Sequence, residues 1–398
     1  MIADGSTATG VLNSGSMVAI LAPLFPPAFR GGGPIRTLEA MVNSAPPKFR
    51  ISVLTGDRDL FAAVRLPVIS NSWTRWGASA IYYTSVDRPI KLLQGFVRLR
   101  GEGPGVLYIN SFFEPKLSIL PQLLWRIGFW GKAQRLVAPR GEFGSGAFRR
   151  RTKKKKLFIV LYRAIGLHRN LIWHASSGLE ANDIRALWGN NARVIIHEDD
   201  TSLPELPSEV PAPIRDAHGL RAVFLGRIVG HKGLLILLRA LINVTEPLTL
   251  DVYGPEEDVE YVDQCKEIVE NLPVPIRVRF QGILTPNAVR KTLSSYDVLM
   301  MPTAGENFAH VIAEALSVSC PVVSSPYTPW SQSLQQGGGV VVAGLDVADW
   351  SEAVMDYALL DPRERHRRRV AAGVAYTEWK QRTHGPHLFE VLENHLCP

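Results

Sequence analysis

The chain has 398 residues, 46% of them apolar and 20% charged, with a formal net charge of +7. These ordinary values exclude wholesale disorder, and the length exceeds the needs of one core and suits two domains. The three cysteines are far apart and lack metal-site spacing, which favours a reducing compartment over a disulfide framework. No stretch reaches the roughly 20 apolar residues that span a bilayer, so we expect a cytoplasmic protein or one lying on a membrane surface.

Residues 1–16 are mostly small and polar, with neither a basic start nor an apolar core. This composition predicts a flexible leader rather than a secretory signal, with the fold starting near Met17.

In the first half of the chain, apolar runs of strand length alternate with helical segments. The predicted strands are Met17–Leu24, Phe49–Thr55, Val106–Asn110 and Arg135–Pro139, and the predicted helices include Ile35–Ser44 and Leu117–Phe129. Strands that alternate with helices favour a parallel sheet covered on both faces.

A Pro-rich stretch, Leu203–Pro213, interrupts this pattern and predicts an extended connector. The alternation then resumes, with predicted strands at Arg221–Leu225, Leu248–Tyr253, Val278–Gln281, Val298–Met301 and Pro321–Ser324. The simplest architecture is two αβ halves of similar size joined by a linker over residues 201–218.

The segment from Pro302 to Leu316 carries two glutamates eight residues apart. It follows a predicted buried strand, and we expect a loop with Glu306 and then a helix beginning near Phe308 and including Glu314. Backbone N–H groups at such a helix start favour a diphosphate, and the carboxylates suit the hydroxyls of a ligand that carries phosphate between them. A nucleotide sugar has this layout. An amphipathic helix with one capping and one solvated Glu also explains the spacing.

Two other loops are candidate phosphate contacts. Arg227 and Lys232 lie five residues apart directly after a predicted strand, where they could bind phosphate oxygens; two exposed cations at a helix start are the alternative. Gly31, Gly32 and Gly33 precede a helix and permit close approach of a ligand, although a flexible loop explains them too. The dinucleotide-binding, Walker, serine-hydrolase and zinc-peptidase patterns are absent.

A basic run, Arg149–Lys156, has seven positive charges in eight residues and precedes the apolar segment Leu157–Leu167. This combination is typical of a helix that lies on an anionic membrane leaflet. A buried helix whose basic start is exposed to solvent explains it equally well. The run lacks interleaved aromatic residues, so we expect no nucleic-acid partner.

The remaining polar candidates are predicted to be structural. His174 is predicted to be a hydrogen-bonded packing residue, and Ser177 with Glu180 is predicted to form a structural capping box. No His or Cys joins the acidic clusters, so we expect no metal site.

The sequence resembles the family-four retaining glycosyltransferases of the GT-B fold, especially bacterial members that build cell-surface polysaccharides. The resemblance extends from about Met17 to Trp330, and the spacing of Glu306 and Glu314 is the signature of that family. The matching stretches are YINSFFEPKLSILP, APRGEFGSGAF, WHASSGLEANDIRALWG, FLGRIVGHKGL, MPTAGENFAHVIAEALSVSCPVV and TPW.

The resemblance implies an α/β protein with two Rossmann-like domains whose parallel sheets face each other across a cleft. Residues 17–200 would form the acceptor-side domain. The last helix, around Ala371–Leu396, would complete it with residues from about 375 to 398. Residues 219–374 would bind the nucleotide sugar.

The resemblance also implies a role for each site residue. Glu306 would hold the donor sugar, Glu314 the ribose, and Arg227 with Lys232 the leaving diphosphate. The glycines at 31–33 would close over donor and acceptor. The further candidates are Asn307, Phe308, Ala309 and His310 for the donor, and Asn110, Arg140 and Glu142 for the acceptor or sugar. No cofactor or metal would be needed beyond the UDP- or GDP-sugar substrate.

The chain departs from the family pattern at four positions. Relatives usually have Gly at the positions of Ala309 and Ser319, Asp at that of Pro326, and many have His at that of Asn110. The Ala309 methyl group would lie where the backbone meets phosphate.

The leading hypothesis is a retaining, metal-independent hexosyltransferase that acts on a glycan, lipid-linked at the inner membrane face, in surface polysaccharide biosynthesis. The alternative is a non-catalytic nucleotide-sugar-binding or scaffolding protein of the same fold, which the Ala309 substitution favours. A nicotinamide dehydrogenase would require a glycine fingerprint that the first strand–helix turn lacks.

Overall fold

A computed structural model describes residues 17–144, 152–210 and 219–396. The predicted leader 1–16, residues Arg149–Arg151 of the basic run and the end of the linker, 211–218, lie outside the described residues. Close contacts divide the chain into two units. The first unit takes the residues up to Ser202 and those from Gly385 onward, and the second is Leu203–His384.

The first unit contains an eight-stranded sheet. Its strands are β1 Met17–Ala22, β2 Arg50–Gly56, β3 Trp73–Trp76, β4 Ser79–Thr84, β5 Val106–Asn110, β6 Gln134–Ala138, β7 Leu171–Ala175 and β8 Arg193–Ile196. They lie in the order β3-β4-β2-β1-β5-β6-β7-β8, and only β3 is antiparallel to its neighbour. Strand β1 is apolar throughout and fully buried, as a parallel strand covered on both faces should be.

Helices cover both faces of this sheet. They are α1 Gly33–Asn43, α2 Pro89–Gly101, α3 Leu120–Arg126, α4 Thr152–Ala164, α5 Gly178–Trp188 and, at the end of the chain, α13 Leu388–Leu396. Alternate residues of β1 enter two different core clusters, because successive strand side chains point to opposite faces. One cluster contains residues of α2, α4 and α5, and the other contains residues of α1 and α13.

The second unit contains a six-stranded sheet in which every neighbouring pair is parallel. Its strands are β9 Leu220–Leu225, β10 Leu248–Tyr253, β11 Ile276–Gly282, β12 Val298–Met301, β13 Val322–Ser324 and β14 Gly339–Val341. They lie in the order β11-β10-β9-β12-β13-β14. The chain therefore reverses its direction of travel across the sheet between β9 and β12, which is where doubly wound sheets bind ligands.

The helices of the second unit pack against this sheet. They are α6 Leu234–Leu241, α7 Val259–Glu270, α8 Pro286–Leu293, α9 His310–Leu316, α10 Ser331–Ser333, α11 Val347–Ala358 and α12 Pro362–Thr383. Fully buried Leu237, Leu250 and Trp350 join helices and strands in one core. None of the helices in the described ranges is long and apolar enough to cross a bilayer.

The prediction of one last helix over Ala371–Leu396 is wrong. Two helices, α12 and α13, occupy this region, and the segment between them contains Gly385 and Pro386. Proline lacks an amide hydrogen and disfavours a helical conformation in the residue before it. The chain consequently returns to the first unit at Gly385, about ten residues later than the predicted boundary near 375.

Candidate active site

Two loops of the second unit meet at the switch point of its sheet. Strand β9 ends at Leu225 and leads into Gly226–Gly233, and strand β12 ends at Met301 and leads into Pro302–Ala309. Because β9 and β12 are adjacent and parallel, both loops leave the same edge of the sheet. The sequence predicted each loop separately as a ligand contact, and the sheet order brings them together.

Close backbone contacts join these two loops. Gly233 has φ 76°, and a Cβ atom there would lie 1.9 Å from the carbonyl oxygen of Pro302. The amide of Ala304 donates to the carbonyl of His231 at 2.8 Å, and the Thr303 hydroxyl donates to the same oxygen at 3.3 Å. Only glycine at 233 permits this approach.

An ion pair between Lys232 and Glu306 spans the two loops. Lys232 Nζ donates to Glu306 Oε1 at 2.6 Å, and the side chains are only 17% and 9% exposed. The amide of Glu306 donates to the carbonyl of Tyr327 at 3.0 Å, which holds the backbone that carries the carboxylate. A predicted phosphate ligand and a predicted sugar ligand therefore occupy one partly buried position and neutralise each other.

Arg227 has a partner that the sequence analysis missed. Its guanidinium donates to Glu257 Oε2 at 3.2 Å, and the Arg227 side chain remains 44% exposed. Glu257 lies in the loop after β10, which packs against the Arg227 loop because Gly254 has φ 147° and leaves room for the carbonyl of Gly226. The Gly-Pro-Glu-Glu turn directly after a predicted strand was the available signal for this residue.

The helix with Glu314 begins at His310, two residues later than predicted. Ala309, the residue before the helix, has φ 65° and ψ 63°, a left-handed conformation that the helix cannot continue through. Phe308 is buried, its ring centre lies 5.6 Å from that of Trp330, and its carbonyl accepts a hydrogen bond from the Trp330 indole.

The side chains between Asn307 and Glu314 differ in their exposure to solvent. The Phe308 ring belongs to the core and contacts His310 at 4.7 Å between ring centres. Glu314 lies in the second turn of α9 and is 7% exposed, whereas Asn307 is half-buried. The carboxylates of Glu306 and Glu314 thus lie on the loop and on the helix that follows it, as the sequence predicted.

The triple glycine lies in the first unit, between β1 and α1. Gly32 has φ 69° and precedes the first residue of α1, which is Gly33. A Cβ atom on Gly31 would lie 2.6 Å from Leu24 Cδ1. The Asp59 carboxylate accepts from the amides of Phe29 and Arg30 at 3.1 and 3.2 Å, so the turn that leads into the glycines is held by hydrogen bonds.

Asn110 ends strand β5, and Arg140 and Glu142 follow the neighbouring strand β6. Nearby residues form hydrogen bonds with the polar atoms of all three. Arg140 donates to Asn110 Oδ1 at 2.7 Å, to the Tyr108 hydroxyl at 2.6 Å and to the Asp199 carboxylate. Burial works to lower the pKa of Arg140, but Asp199, Tyr108 and Glu180 together outweigh burial and raise it, so the guanidinium stays charged.

Glu142 ties its loop to the chain that follows β5. It accepts from the Ser111 hydroxyl at 2.6 Å and from the amides of Phe112 and Phe113 at 2.9 and 2.8 Å. Burial raises the pKa of this carboxyl, and the three hydrogen bonds oppose the rise. Asn110, Arg140 and Glu142, the predicted acceptor or sugar contacts, therefore make internal hydrogen bonds in this structure.

His174 extends the Arg140 network into the core. Its Nδ1 lies 2.9 Å from the Tyr108 hydroxyl and its Nε2 lies 2.9 Å from the carbonyl of His197. Burial, assisted by the charge of Arg140, lowers the pKa of His174 to about 3, so the ring is neutral at physiological pH. This agrees with the predicted role as a packing residue. The Tyr108 and Asp199 contacts were not recognised from the sequence.

The predicted capping box is half present. The Ser177 hydroxyl accepts from the amide of Glu180 at 3.2 Å, as expected for an N-cap. The Glu180 carboxylate instead accepts from the amides of Ser176 and Gly141, at 2.8 and 2.7 Å. Glu180 thereby positions the loop that carries Arg140, a contact between distant residues that a local pattern cannot reveal.

Comparison with known proteins finds a family match within the second unit. Residues 215–373 match the family "Glycosyl transferases group 1". The chain is 25% identical over 237 residues to the D-inositol 3-phosphate glycosyltransferase of Corynebacterium kroppenstedtii, covering 56% of this chain and 51% of that protein. It is 32% identical over 162 residues to the phosphatidyl-myo-inositol mannosyltransferase of Mycobacterium leprae, covering 39% and 41%. The chain thus matches about half or less of the length of these relatives.

Solved structures resemble the whole chain in fold. Anabaena HepE in complex with UDP and glucose has a TM-score of 0.65 at 12% identity, covering 96% of this chain and 98% of that one. The sucrose-phosphate synthase of Thermosynechococcus elongatus has a TM-score of 0.65 at 15% identity, covering 96% and 100%. The predicted fold class is confirmed: the chain has two parallel α/β units of the GT-B type, and the second matches the group 1 glycosyltransferases.

Proposed function

We propose that this chain is a retaining, metal-independent glycosyltransferase that transfers a hexose-type sugar from a UDP- or GDP-sugar to a glycan acceptor. The single observation that carries the proposal is the Lys232–Glu306 pair at the switch point of the second sheet. The pair puts a cation for phosphate and a carboxylate for sugar hydroxyls at the edge where such sheets bind ligands.

The charges of this edge match a nucleotide sugar. Lys232 forms an ion pair with Glu306, and Arg227 forms one with Glu257. An incoming diphosphate, with its two charges, would take over both cations and release both carboxylates. Glu306 would then be available to accept hydrogen bonds from the sugar, and Glu314, farther along α9, from the ribose.

Catalysis would rest on stabilising the leaving diphosphate. The bond from the anomeric carbon to the phosphate oxygen breaks, and the acceptor oxygen forms its new bond on the same face of the sugar. The acceptor proton would pass to the leaving phosphate, so no pair of carboxylates of the glycosidase kind is needed. Preorganised cations that meet the developing charge supply most of the barrier lowering.

The acceptor we propose is a glycan, attached to a lipid at the inner membrane face, in the biosynthesis of a surface polysaccharide. Two similar proteins favour this choice: one is a phosphatidyl-myo-inositol mannosyltransferase, and the other, similar in fold, is WaaG, a glycosyltransferase involved in lipopolysaccharide biosynthesis. Lys153–Lys156, the described part of the basic run, lie in α4 and would contact an anionic leaflet.

A turnover assay tests the proposal directly. The full chain is incubated with a panel of UDP- and GDP-sugars and a polyprenyl-diphosphate-linked glycan, and nucleotide release is measured along with the anomeric configuration of the product. Release with one donor and retained configuration would support the assignment. Absence of both turnover and nucleotide binding would overturn it.

The alternative, a nucleotide-sugar-binding protein without activity, is favoured by one observation. Ala309 holds a left-handed conformation at the start of α9, where its methyl group adds bulk that glycine lacks. Saturable binding of a donor, without transfer to any of many acceptors, would select this alternative.

A further inference from the structure

Helices α2, α3 and α4 of the first unit lie side by side on one face of its sheet. Leu92 and Phe96 of α2 and Tyr162 of α4 enter the same core cluster, and Leu124 of α3 packs against it. Arg126, at the end of α3, donates to the carbonyl of Ile165, just after α4, at 3.2 Å. The Arg100 guanidinium of α2 lies 4.9 Å from the centre of the Phe129 ring, just after α3. The three helices therefore share one outer surface.

That outer surface exposes large aliphatic side chains. Nine of them in and just after the three helices are more than a third exposed, namely Ile90, Leu93, Val97, Leu123, Ile127, Leu157, Val160, Leu161 and Ile165. On α2 they recur at intervals of three and four residues, so they form one stripe. On α4 the residues Leu157, Val160 and Leu161 share the side opposite the buried Ile159 and Tyr162.

The charges of this surface have a single sign. Residues 89–101, 115–126 and 152–164 contain no Asp or Glu and include ten cations: Lys91, Arg98, Arg100, Lys116, Arg126, Lys153, Lys154, Lys155, Lys156 and Arg163. Of these, Lys155 is half-buried, with its Nζ 4.9 Å from the centre of the Phe113 ring. Each of the acidic residues Glu102, Asp87 and Glu114 at their borders has a hydrogen-bond or ion-pair partner. Glu102 pairs with Arg50 at 3.4 Å, Asp87 pairs with Arg58 at 3.2 Å, and Glu114 accepts from the amide of Lys116 at 3.1 Å.

We propose that the outer surface of α2, α3 and α4, the apolar–basic surface, docks on an anionic lipid bilayer. Aliphatic side chains enter the boundary between headgroups and acyl chains, and the surrounding cations attract anionic headgroups. A solvated surface would not bring nine aliphatic side chains together, and a polyanion such as RNA would leave them in water. The inference deepens the proposed use of a lipid-linked acceptor by naming the surface that meets the membrane.

Vesicle flotation of the full chain tests this proposal. We expect binding to phosphatidylcholine vesicles containing about one third phosphatidylglycerol, at least about tenfold tighter than to pure phosphatidylcholine and weakened by salt. The double variants Lys153→Glu with Lys154→Glu, and Leu157→Ser with Leu161→Ser, should each lose about tenfold or more in affinity. All four side chains are at the surface, so circular dichroism should show an intact fold.

The matched control reverses two exposed cations of the second unit, Lys291→Glu with Arg363→Glu, and should bind vesicles as the unchanged chain does. Equal binding to neutral and anionic vesicles, or full binding by both surface variants, would overturn the proposal. So would a dimer of the unchanged chain that the Leu157→Ser, Leu161→Ser variant dissociates, because a second copy would then cover the surface. Titration of the full chain with UDP, without lipid, separates the two proposals. A chain that does not bind UDP contradicts the proposed function, whereas the result of the vesicle experiment is unaffected.

Discussion

At the scale of residues, the candidate site consists of charges that neutralise each other until a ligand arrives. Lys232 and Glu306 lie 74 residues apart in the chain and 2.6 Å apart in space. Removing one member of a partly buried ion pair leaves the charge of the other member uncompensated. The pair therefore keeps both side chains in place until ligand groups replace the partner of each. A nucleotide sugar carries both the phosphate and the hydroxyls that this exchange requires.

Lys232→Ala should lower kcat by about a hundred- to a thousandfold, because removing one preorganised donor to a developing negative charge has this effect in other active sites. Steady-state nucleotide release measures the change. Lys291→Ala, an exposed cation of the same unit, is the control and should leave kcat unaltered. Full activity of the Lys232 variant would remove the residue from the proposed mechanism.

Ala309→Gly should stabilise the second unit by about 0.5–1 kcal/mol. Relief of the left-handed strain on an L-residue is worth about 1–2 kcal/mol, and the extra freedom of glycine in the unfolded chain offsets part of it. Chemical denaturation measures the gain. Ala313→Gly, at a buried helical position of α9, is the control and should destabilise the unit by about 1 kcal/mol. A loss of stability at 309 would contradict the strain argument.

Ser319 has φ 55° and is the second position at which the resemblance implied glycine. Its hydroxyl donates to the carbonyl of Ser208 at 2.8 Å, a contact that offsets the cost of the backbone conformation. Both 309 and 319 thus have the left-handed backbone conformation that glycine adopts without strain.

His174→Gln should make the first unit less sensitive to mild acid. The pKa of His174 is about 3 in the folded protein and about 6.5 in an unfolded chain, so the unfolded chain binds more protons between these values. Folded-state stability is thus retained above pH 6.5 and falls as the pH drops toward 3. Between pH 7 and pH 5 this residue should remove about 2 kcal/mol.

Urea unfolding of the unchanged chain and the variant, at both pH values, isolates the contribution of His174 from the other titrating groups. An identical pH dependence for His174→Gln would show that this ring is not held neutral.

At the scale of elements, the loops after β9, β10 and β12 depend on glycine for their contact. Gly233 approaches the carbonyl of Pro302, and Gly254 approaches that of Gly226. Both have positive φ values, so a side chain would be strained even without the contact. The position of Lys232 near Glu306 follows from the first approach, and that of Arg227 near Glu257 follows from the second.

Gly233→Ala should therefore strongly destabilise the second unit and abolish nucleotide binding, because a Cβ atom would lie 1.9 Å from a carbonyl oxygen. Thermal unfolding and UDP titration measure both effects. Gly305→Ala, where no atom lies within 4 Å of the added carbon, is the control and should fold normally. A well-folded Gly233→Ala protein would show that the loops can separate without cost.

At the scale of the whole molecule, the two units have separate cores, and the end of the chain belongs to the first. Phe389 of α13 is 1% exposed, and its ring centre lies 5.9 Å from that of Phe49 and 6.1 Å from that of Tyr108. The residues after Gly385 thus complete a core that the chain began near Met17.

Phe389→Ala should destabilise the first unit by about 3–5 kcal/mol, the cost of emptying a large buried site. Calorimetry should show one transition move to lower temperature while the transition of the second unit and UDP binding stay in place. Leu237→Ala, in the core of the second unit, should shift the other transition. Equal shifts of both transitions in either variant would contradict the separate-core description.

Much of the fold could be predicted from local patterns in the sequence. The strands Val106–Asn110, Leu248–Tyr253 and Val298–Met301 have the predicted bounds, because apolar runs of this length between turns are characteristic of buried parallel strands. The two-unit α/β architecture followed from their alternation with helices. The start of α9 was displaced because backbone conformation at Ala309, rather than hydropathy, decides where that helix begins.

The sequence by itself determined the strand–loop–helix segments, the residue types of the candidate site and the resemblance to a glycosyltransferase family. Only the tertiary structure decided which charges pair, because the order of β9, β10 and β12 in the sheet brings together loops distant in sequence. The same is true of Arg140, whose partners Tyr108 and Asp199 come from other segments of the first unit. Local spacing carries no information about such contacts, which depend on how the strands are arranged in space.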